Sequence, residues 1–312
     1  MCCVHYKDFK AHGKIVSYEE ARTLHQHSVF DTAEDVLDAT THGGSLEKHT
    51  IAFVSHQWKG VRIAHPDPTK SDFAAVTLGV DALIKSKGID ESKLLIWIDF
   101  TSIPQRNAAL QKLSIASLPV YASFAKYFLV SAPPTVNPDT GVMYDLAAWK
   151  SRGWCRLEQW ARITQHGVDE MYVLDGGETP RSVSEDFEML AQSMHVFDGN
   201  FTVDEDKLAL VDTSIALFHL LLSKDTKGEL SGLGKQLLDR VVKLKDVVYP
   251  AGLFDDLIFI TESITKEGDA ERKAINRSMT KHSSFSDKTS IKACKSKKVL
   301  SAAPKAEAPH VV

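Results

Sequence analysis

The segment RGWCRLEQW, residues 152–160, sets one carboxylate, Glu158, among Trp154, Trp160, Cys155 and the arginines Arg152, Arg156 and, just beyond it, Arg162. Two kinds of behaviour are open to such a carboxylate. On a solvated helix it pairs with Arg162 at i,i+4 and contributes about 0.3 kcal/mol. Held in a pocket near the first turn, where the positive end of the helix dipole favours an anion, it is placed to do chemistry on a bound molecule. Helical spacing puts Trp154, Leu157, Ala161 and Thr164 on the face that packs against the next layer, with Glu158 at its edge. Cys155 has no histidine paired with it by sequence and reads as a packing thiol rather than a nucleophile.

Other residues carry weaker signals. His56, His65, Asp67 and Asp99 are of types that bind zinc, but their spacing matches no metal motif, and no metal is expected. HPDP at 65–68 reads instead as a rigid loop, its prolines fixing φ and Asp67 capping backbone groups. There is neither a P-loop nor a dinucleotide glycine fingerprint, which argues against a kinase, an ATPase or a Rossmann dehydrogenase.

The elements that must position these residues alternate in type. TIAFVSH (50–56), LLIWIDF (94–100), KYFLVSA (126–132) and EMYVLD (170–175) are short apolar runs rich in β-forming residues. Helical stretches separate them: one from Ser71 or Asp72 to Gly88, one over 106–125 interrupted near Pro119, and one from about 153 to 166 stopped by Gly167. That alternation predicts a parallel sheet covered on both faces. The first strand ends in Ser55, His56 and Gln57, the second in Asp99, and open α/β sheets bind ligands beyond those C-terminal ends. The Glu158 helix follows the third strand, so its N-terminus reaches the same edge. Ser55, His56, Trp58, Asp99, Trp154 and Glu158 thus converge from separate segments.

Around this unit the pattern changes. Ser17 followed by Glu20 has capping-box spacing, and residues 1–47 read as an N-terminal helical extension with Cys2-Cys3 in an inert tail. Residues 179–275 read as a helical region without clear strands, and 276–312, rich in Ser, Lys and Ala, as a disordered tail. The chain has 312 residues, 43% hydrophobic and 25% charged, with a formal net charge of −4. That balance fits a globular protein and argues against a nucleic-acid binder acting through its overall field. No apolar run is long enough for stable membrane insertion, and the opening residues lack a signal-peptide core. Cytoplasmic residence is the expectation.

IAFVSHQWKG, LLIWIDFTSIPQ, YASFAKYFLVSA and RGWCRLEQW, in that order, resemble the successive boxes of a TIR-like domain, with Trp154, Cys155 and Glu158 matching a Trp-Cys-x-x-Glu helix. The resemblance covers roughly residues 48–176 and implies a flavodoxin-like, doubly wound sheet over 48–178. In TIR domains that are enzymes, the glutamate of this box is essential for cleaving NAD+ between nicotinamide and ribose. The resemblance therefore implies NAD+ or a related nucleotide as substrate, no separate cofactor, Glu158 as catalytic residue, and Ser55, His56, Trp58, Asp99 and Trp154 as substrate contacts. Many TIR domains are instead adaptors, which implies a non-catalytic module that self-assembles into homo-oligomers. SHQWKG and TSIPQ depart from the plant-type boxes. Another nucleotide-processing hydrolase or transferase on the same scaffold is the third reading.

Overall fold

In chain order the protein, seen in a computed structural model, begins β1 (Cys2–His5), α1 (Tyr6–Ala11), α2 (Tyr18–Thr23), β2 (His27–Val29) and α3 (Ala33–Thr40). It continues β3 (Thr50–His56), α4 (Ser71–Lys87), β4 (Leu94–Ile98), α5 (Asp99–Ser102), α6 (Ala108–Ala116), α7 (Leu118–Phe124) and β5 (Tyr127–Ser131). Next come the small hairpin β6 (Thr135–Val136) and β7 (Met143–Tyr144), α8 (Leu146–Ser151), α9 (Gly153–His166), β8 (Met171–Leu174) and β9 (Arg181–Ser182). The helices α10 (Asp206–Ala209), α11 (Val211–Thr226) and α12 (Gly232–Val248) follow. The structure describes residues 1–40, 49–60, 65–138, 140–183, 195–202, 206–230, 232–249, 252 and 254–255. The tail expected over 276–312 lies outside the described residues.

One sheet of 7 strands runs β2-β1-β4-β3-β5-β8-β9. Within it β4, β3, β5 and β8 are parallel neighbours, and the outer strands pair antiparallel. The protein is therefore α/β, with a mostly parallel sheet flanked by helices. Its parallel strands stand in the order second, first, third, fourth, so the crossover changes direction at β3. Doubly wound sheets keep a crevice at such a switch point.

Side-chain alternation divides the strands between two cores. Ile51, Phe53, Leu95, Trp97, Phe128 and Val130 face a core shared with Leu118 and Ala122 of α7 and with Leu157, Trp160 and Ala161 of α9. Ala52, Val54, Ile96, Ile98 and Leu129 face the other, with Val76 and Val80 of α4 and Tyr6 and Phe9 of α1. On the first face, Phe53 stacks on Trp97 at 4.3 Å and lies 5.4 Å from Phe128, ring to ring. These are directly opposed residues on adjacent strands, and such pairs are worth about 1 kcal/mol each beyond their buried area.

Several helix boundaries follow from short-range chemistry. Ser17 accepts a hydrogen bond from Glu20 N–H at 3.2 Å, as its spacing predicted. Pro119 sits in the first turn of α7, where its missing N–H costs nothing, and so splits α6 from α7. Gly88 ends α4 with φ +65°, a backbone state other residues resist.

Residues 1–40, the described part of the expected N-terminal helical extension over 1–47, are not helical throughout. Cys2–His5 is a strand hydrogen-bonded to β4, with β2 beside it, so this segment completes the sheet. Cys3 is fully buried, which removes the inert tail. The signal was masked because four residues are too few for a visible period and the segment pairs with a strand some 90 residues away. Among the described residues no helix is long and apolar enough to cross a membrane.

Candidate functional site

Ser55 and His56 close β3, and alternation sends them to opposite faces. Ser55 points to the α9 side, where its hydroxyl donates to Glu158 Oε2 and accepts from Trp149 Nε1 at 3.1 Å. His56 points to the α4 side, its side chain 1% exposed, with Nδ1 3.5 Å from Asp72 Oδ2. Its Nε2 donates to Asp99 Oδ1 at 2.8 Å.

Glu158 is 7% exposed and belongs to the buried face of α9. It does not pair with Arg162: that guanidinium donates to Lys126 O at 3.1 Å and Asp169 O at 2.8 Å, tying α9 to the ends of β5 and β8. The solvated i,i+4 pair is thus absent and Glu158 has only the neutral hydroxyl of Ser55 for Oε2. Oε1 makes no hydrogen bond among the described residues, and Glu158 lines a cavity of about 550 Å³. Burial raises its pKa to about 8; the Ser55 hydrogen bond pulls it down, the Asp99 charge pushes it up, and His56 opposes that.

Asp99 has the contrasting setting. Besides His56, its Oδ1 accepts from Phe100 N–H at 2.5 Å, and Oδ2 accepts from Trp58 Nε1 at 2.6 Å. Its side chain is 26% exposed. Burial works against its charge, but His56 and these donors win, and its pKa is lowered. Burial likewise opposes the His56 cation; Asp99 and Asp72 outweigh it and raise the imidazole to about 10. Asp72, fully buried, also accepts from Lys59 Nζ at 2.9 Å and from Ser131 Oγ at 2.7 Å. Its pKa is lowered, because His56 and Lys59 together overcome the burial that would raise it. Lys59, Asp72, His56 and Asp99 therefore form a chain of alternating charge that runs from the interior to the cavity.

The cavity's walls include Trp58, Trp154, Tyr144, Arg152, Thr202 and Asp206. Trp154 Nε1 donates to Asp206 Oδ2 at 2.9 Å, and Arg152 Nη2 donates to Thr202 Oγ1 at 2.8 Å. Gly153 N–H donates to Asn200 O at 3.1 Å, and Asn200 N–H to Ser151 O at 2.7 Å. This close approach requires glycine: a Cβ at Gly153 would stand 1.9 Å from Phe201 Cζ. Residues 199–202, far outside the parallel strands, are thus stitched to the first turn of the Glu158 helix.

Of the residues singled out by sequence, His56, Trp58, Asp99, Trp154 and Glu158 line the cavity, while Ser55 stands behind Glu158 and holds it. Trp154 is a cavity wall; the tryptophan buried in the core on α9 is Trp160. The two remaining metal candidates are engaged otherwise. His65 Nε2 contacts Ile15 O at 2.9 Å, and Asp67 accepts from Phe73 N–H at 2.9 Å, so the backbone group that it caps lies in the first turn of α4, where Ser71 or Asp72 was the expected cap. Cys155 is buried with its pKa raised by burial, and its Sγ lies 3.7 Å from His56 O, which suits a packing thiol. Trp149, Lys59, Asp72, Ser131 and Asp206 were not anticipated. Asp72 read only as a helix cap, although the cap position itself is Lys70 in the left-handed region.

Compared with protein-family models, curated proteins and solved structures, the chain gives no match.

Proposed function

We propose that this is a TIR-like, flavodoxin-like protein that hydrolyses NAD+ at the nicotinamide–ribose bond, with Glu158 essential. The observation that carries this reading is the Glu158 carboxyl itself: nearly buried, held through one oxygen by Ser55, on a residue that lines a cavity large enough for a nucleotide fragment. Breaking the C1′–N bond sends its electron pair to the nicotinamide ring, which leaves neutral, so no general acid is required. The ribose becomes oxocarbenium-like, as in glycoside hydrolysis. The positive charge of the nicotinamide ring favours ionisation of Glu158 when the substrate binds, and the resulting carboxylate offsets the developing charge and accepts hydrogen bonds from ribose hydroxyls. Water then forms the new C–O bond at C1′ and releases a proton. Trp58 and Trp154 supply faces on which flat rings stack.

A second reading, a self-assembling TIR-like module, draws support from Leu110 and Leu113 on α6 and Val120 on α7, which are 46%, 65% and 47% exposed. The two readings are compatible if assembly through that surface accompanies catalysis, since Gln111 and Ile115 of the same helix line the cavity.

The test is nicotinamide release from NAD+ by purified protein, at low and high protein concentration. Glu158→Gln and Glu158→Ala should each lower the rate about 10³-fold, the scale lost with one preorganised electrostatic group. Release that survives both substitutions rejects the role of Glu158. No release at any protein concentration leaves the assembly reading.

A further inference from the structure

The acidic and aromatic character of the cavity points to the charge of its ligand. Asp99, Glu158 and Asp206 line it, whereas Arg152 is the only lysine or arginine among the described lining residues, and it is engaged with Thr202. His56 also lines the cavity, but its side chain is 1% exposed and its Nε2 is paired with Asp99 at 2.8 Å. Both lining tryptophans are locked. Trp58 is bonded to Asp99 and set edge-on to Phe100 at 5.7 Å; Trp154 is bonded to Asp206 and set edge-on to Phe201 at 6.5 Å. The nearly buried Glu158 adds an acceptor oxygen left unpartnered among the described residues.

We infer that Asp99 is a specificity determinant: its fixed carboxylate, beside the indole of Trp58, makes the cavity select flat rings that carry a positive charge over neutral rings of the same shape. This rests on the reading of the cavity as the ligand site, but not on any bond being broken there. Three features carry it. First, three donors hold the Asp99 carboxylate in one orientation, so its charge needs no reorganisation when a ligand arrives. Second, the chain Lys59–Asp72–His56–Asp99 ends on a negative group at the cavity, where the Asp99 side chain is 26% exposed and that of His56 only 1%. Third, an indole face attracts a cation through its quadrupole, most strongly where water is excluded. A neutral ring receives stacking only. In this arrangement Asp99 is a recognition group that touches the ring, and His56, Asp72 and Lys59 are positioning residues that keep it ionised and still.

A pair of isosteric fragments tests this: 1-methylnicotinamide, a cation, and 3-methylbenzamide, which has the same outline and no charge. Titration calorimetry on the full-length protein should find the cation bound at least about tenfold tighter, the scale of one cation–π and carboxylate contact. In Asp99→Asn that preference should fall to about threefold or less while 3-methylbenzamide binds as before. Asp206→Asn, which removes the other anchoring carboxylate, should keep most of the preference. Equal affinities in the unaltered protein overturn the inference without any variant having to fold. So does a preference that persists in a folded Asp99→Asn protein, one lost equally in Asp206→Asn, or failure of both fragments to bind at tens of millimolar. The proposed hydrolysis stands or falls separately: a cation preference with no nicotinamide release keeps the recognition site and removes the reaction.

Discussion

Ser55 and His56 are neighbours in sequence, yet the pleat of β3 delivers them to chemically opposite places. On the α9 face, Ser55 holds Glu158 among Trp149, Cys155 and apolar neighbours, with no cation in direct contact. On the α4 face, His56 joins a paired set of charges with Asp72, Lys59 and Asp99. Burial is comparable in both, so the partners decide the outcome. A carboxyl given one neutral donor is driven toward its protonated form, while one given a cation and several N–H donors stays ionised. One strand end thus brings together two carboxyls of different proton affinity at a single cavity.

The contrast can be broken most forcefully on the charged side. Asp72→Asn leaves Lys59 and the His56 cation buried beside a neutral group, and should cost about 3–5 kcal/mol in urea unfolding, as when one partner of a buried pair is removed. A cost below about 1 kcal/mol would show that the chain of charges is not coupled. On the neutral side the stakes are smaller. Ser55→Ala removes the donor to Glu158 and the acceptor for Trp149, and should cost about 1–3 kcal/mol, the range for buried groups left unsatisfied.

A further test depends on pH. Burial lets Glu158 keep its proton up to about 8, whereas an unfolded glutamate releases it near 4.3. Between those values the folded chain binds more protons than the unfolded one, so this group's contribution to stability declines as pH rises. Glu158→Gln cannot ionise, so its melting temperature relative to the unaltered protein should climb from pH 5 to pH 8.5. A pH-independent difference would mean that Glu158 is ionised throughout.

What the sequence disclosed followed from range. The four parallel strands were legible because each is a continuous apolar run, and α9 because Gly153 and Gly167 bracket it. The meeting of Ser55, Asp99 and Glu158 at one edge followed from strand–helix alternation alone. The short edge strand Cys2–His5 did not, because pairing partners that distant leave no periodic trace. Nor did Asp72, whose identity as a helix-start residue hid its contacts to His56 and Ser131, 59 residues away. The i,i+4 arginine was misleading: Arg162 has the right spacing for Glu158, but its guanidinium donates instead to the carbonyls of Lys126 and Asp169, just before β5 and β8.

The stitching of residues 199–202 onto Gly153 sets the smallest chain that can hold this site. A shortened chain ending at residue 178 would retain every parallel strand and Glu158. It would lack Thr202 and Asp206 from the cavity wall and the Phe201 ring that fills the space above Gly153. In such a fragment Arg152 and Trp154 lose their anchors, β9 is gone from the sheet edge, and the core on the α9 side loses Leu217, Phe218, Leu221 and Leu237. Folding and recognition in this protein therefore draw on the same stretch of chain beyond residue 178.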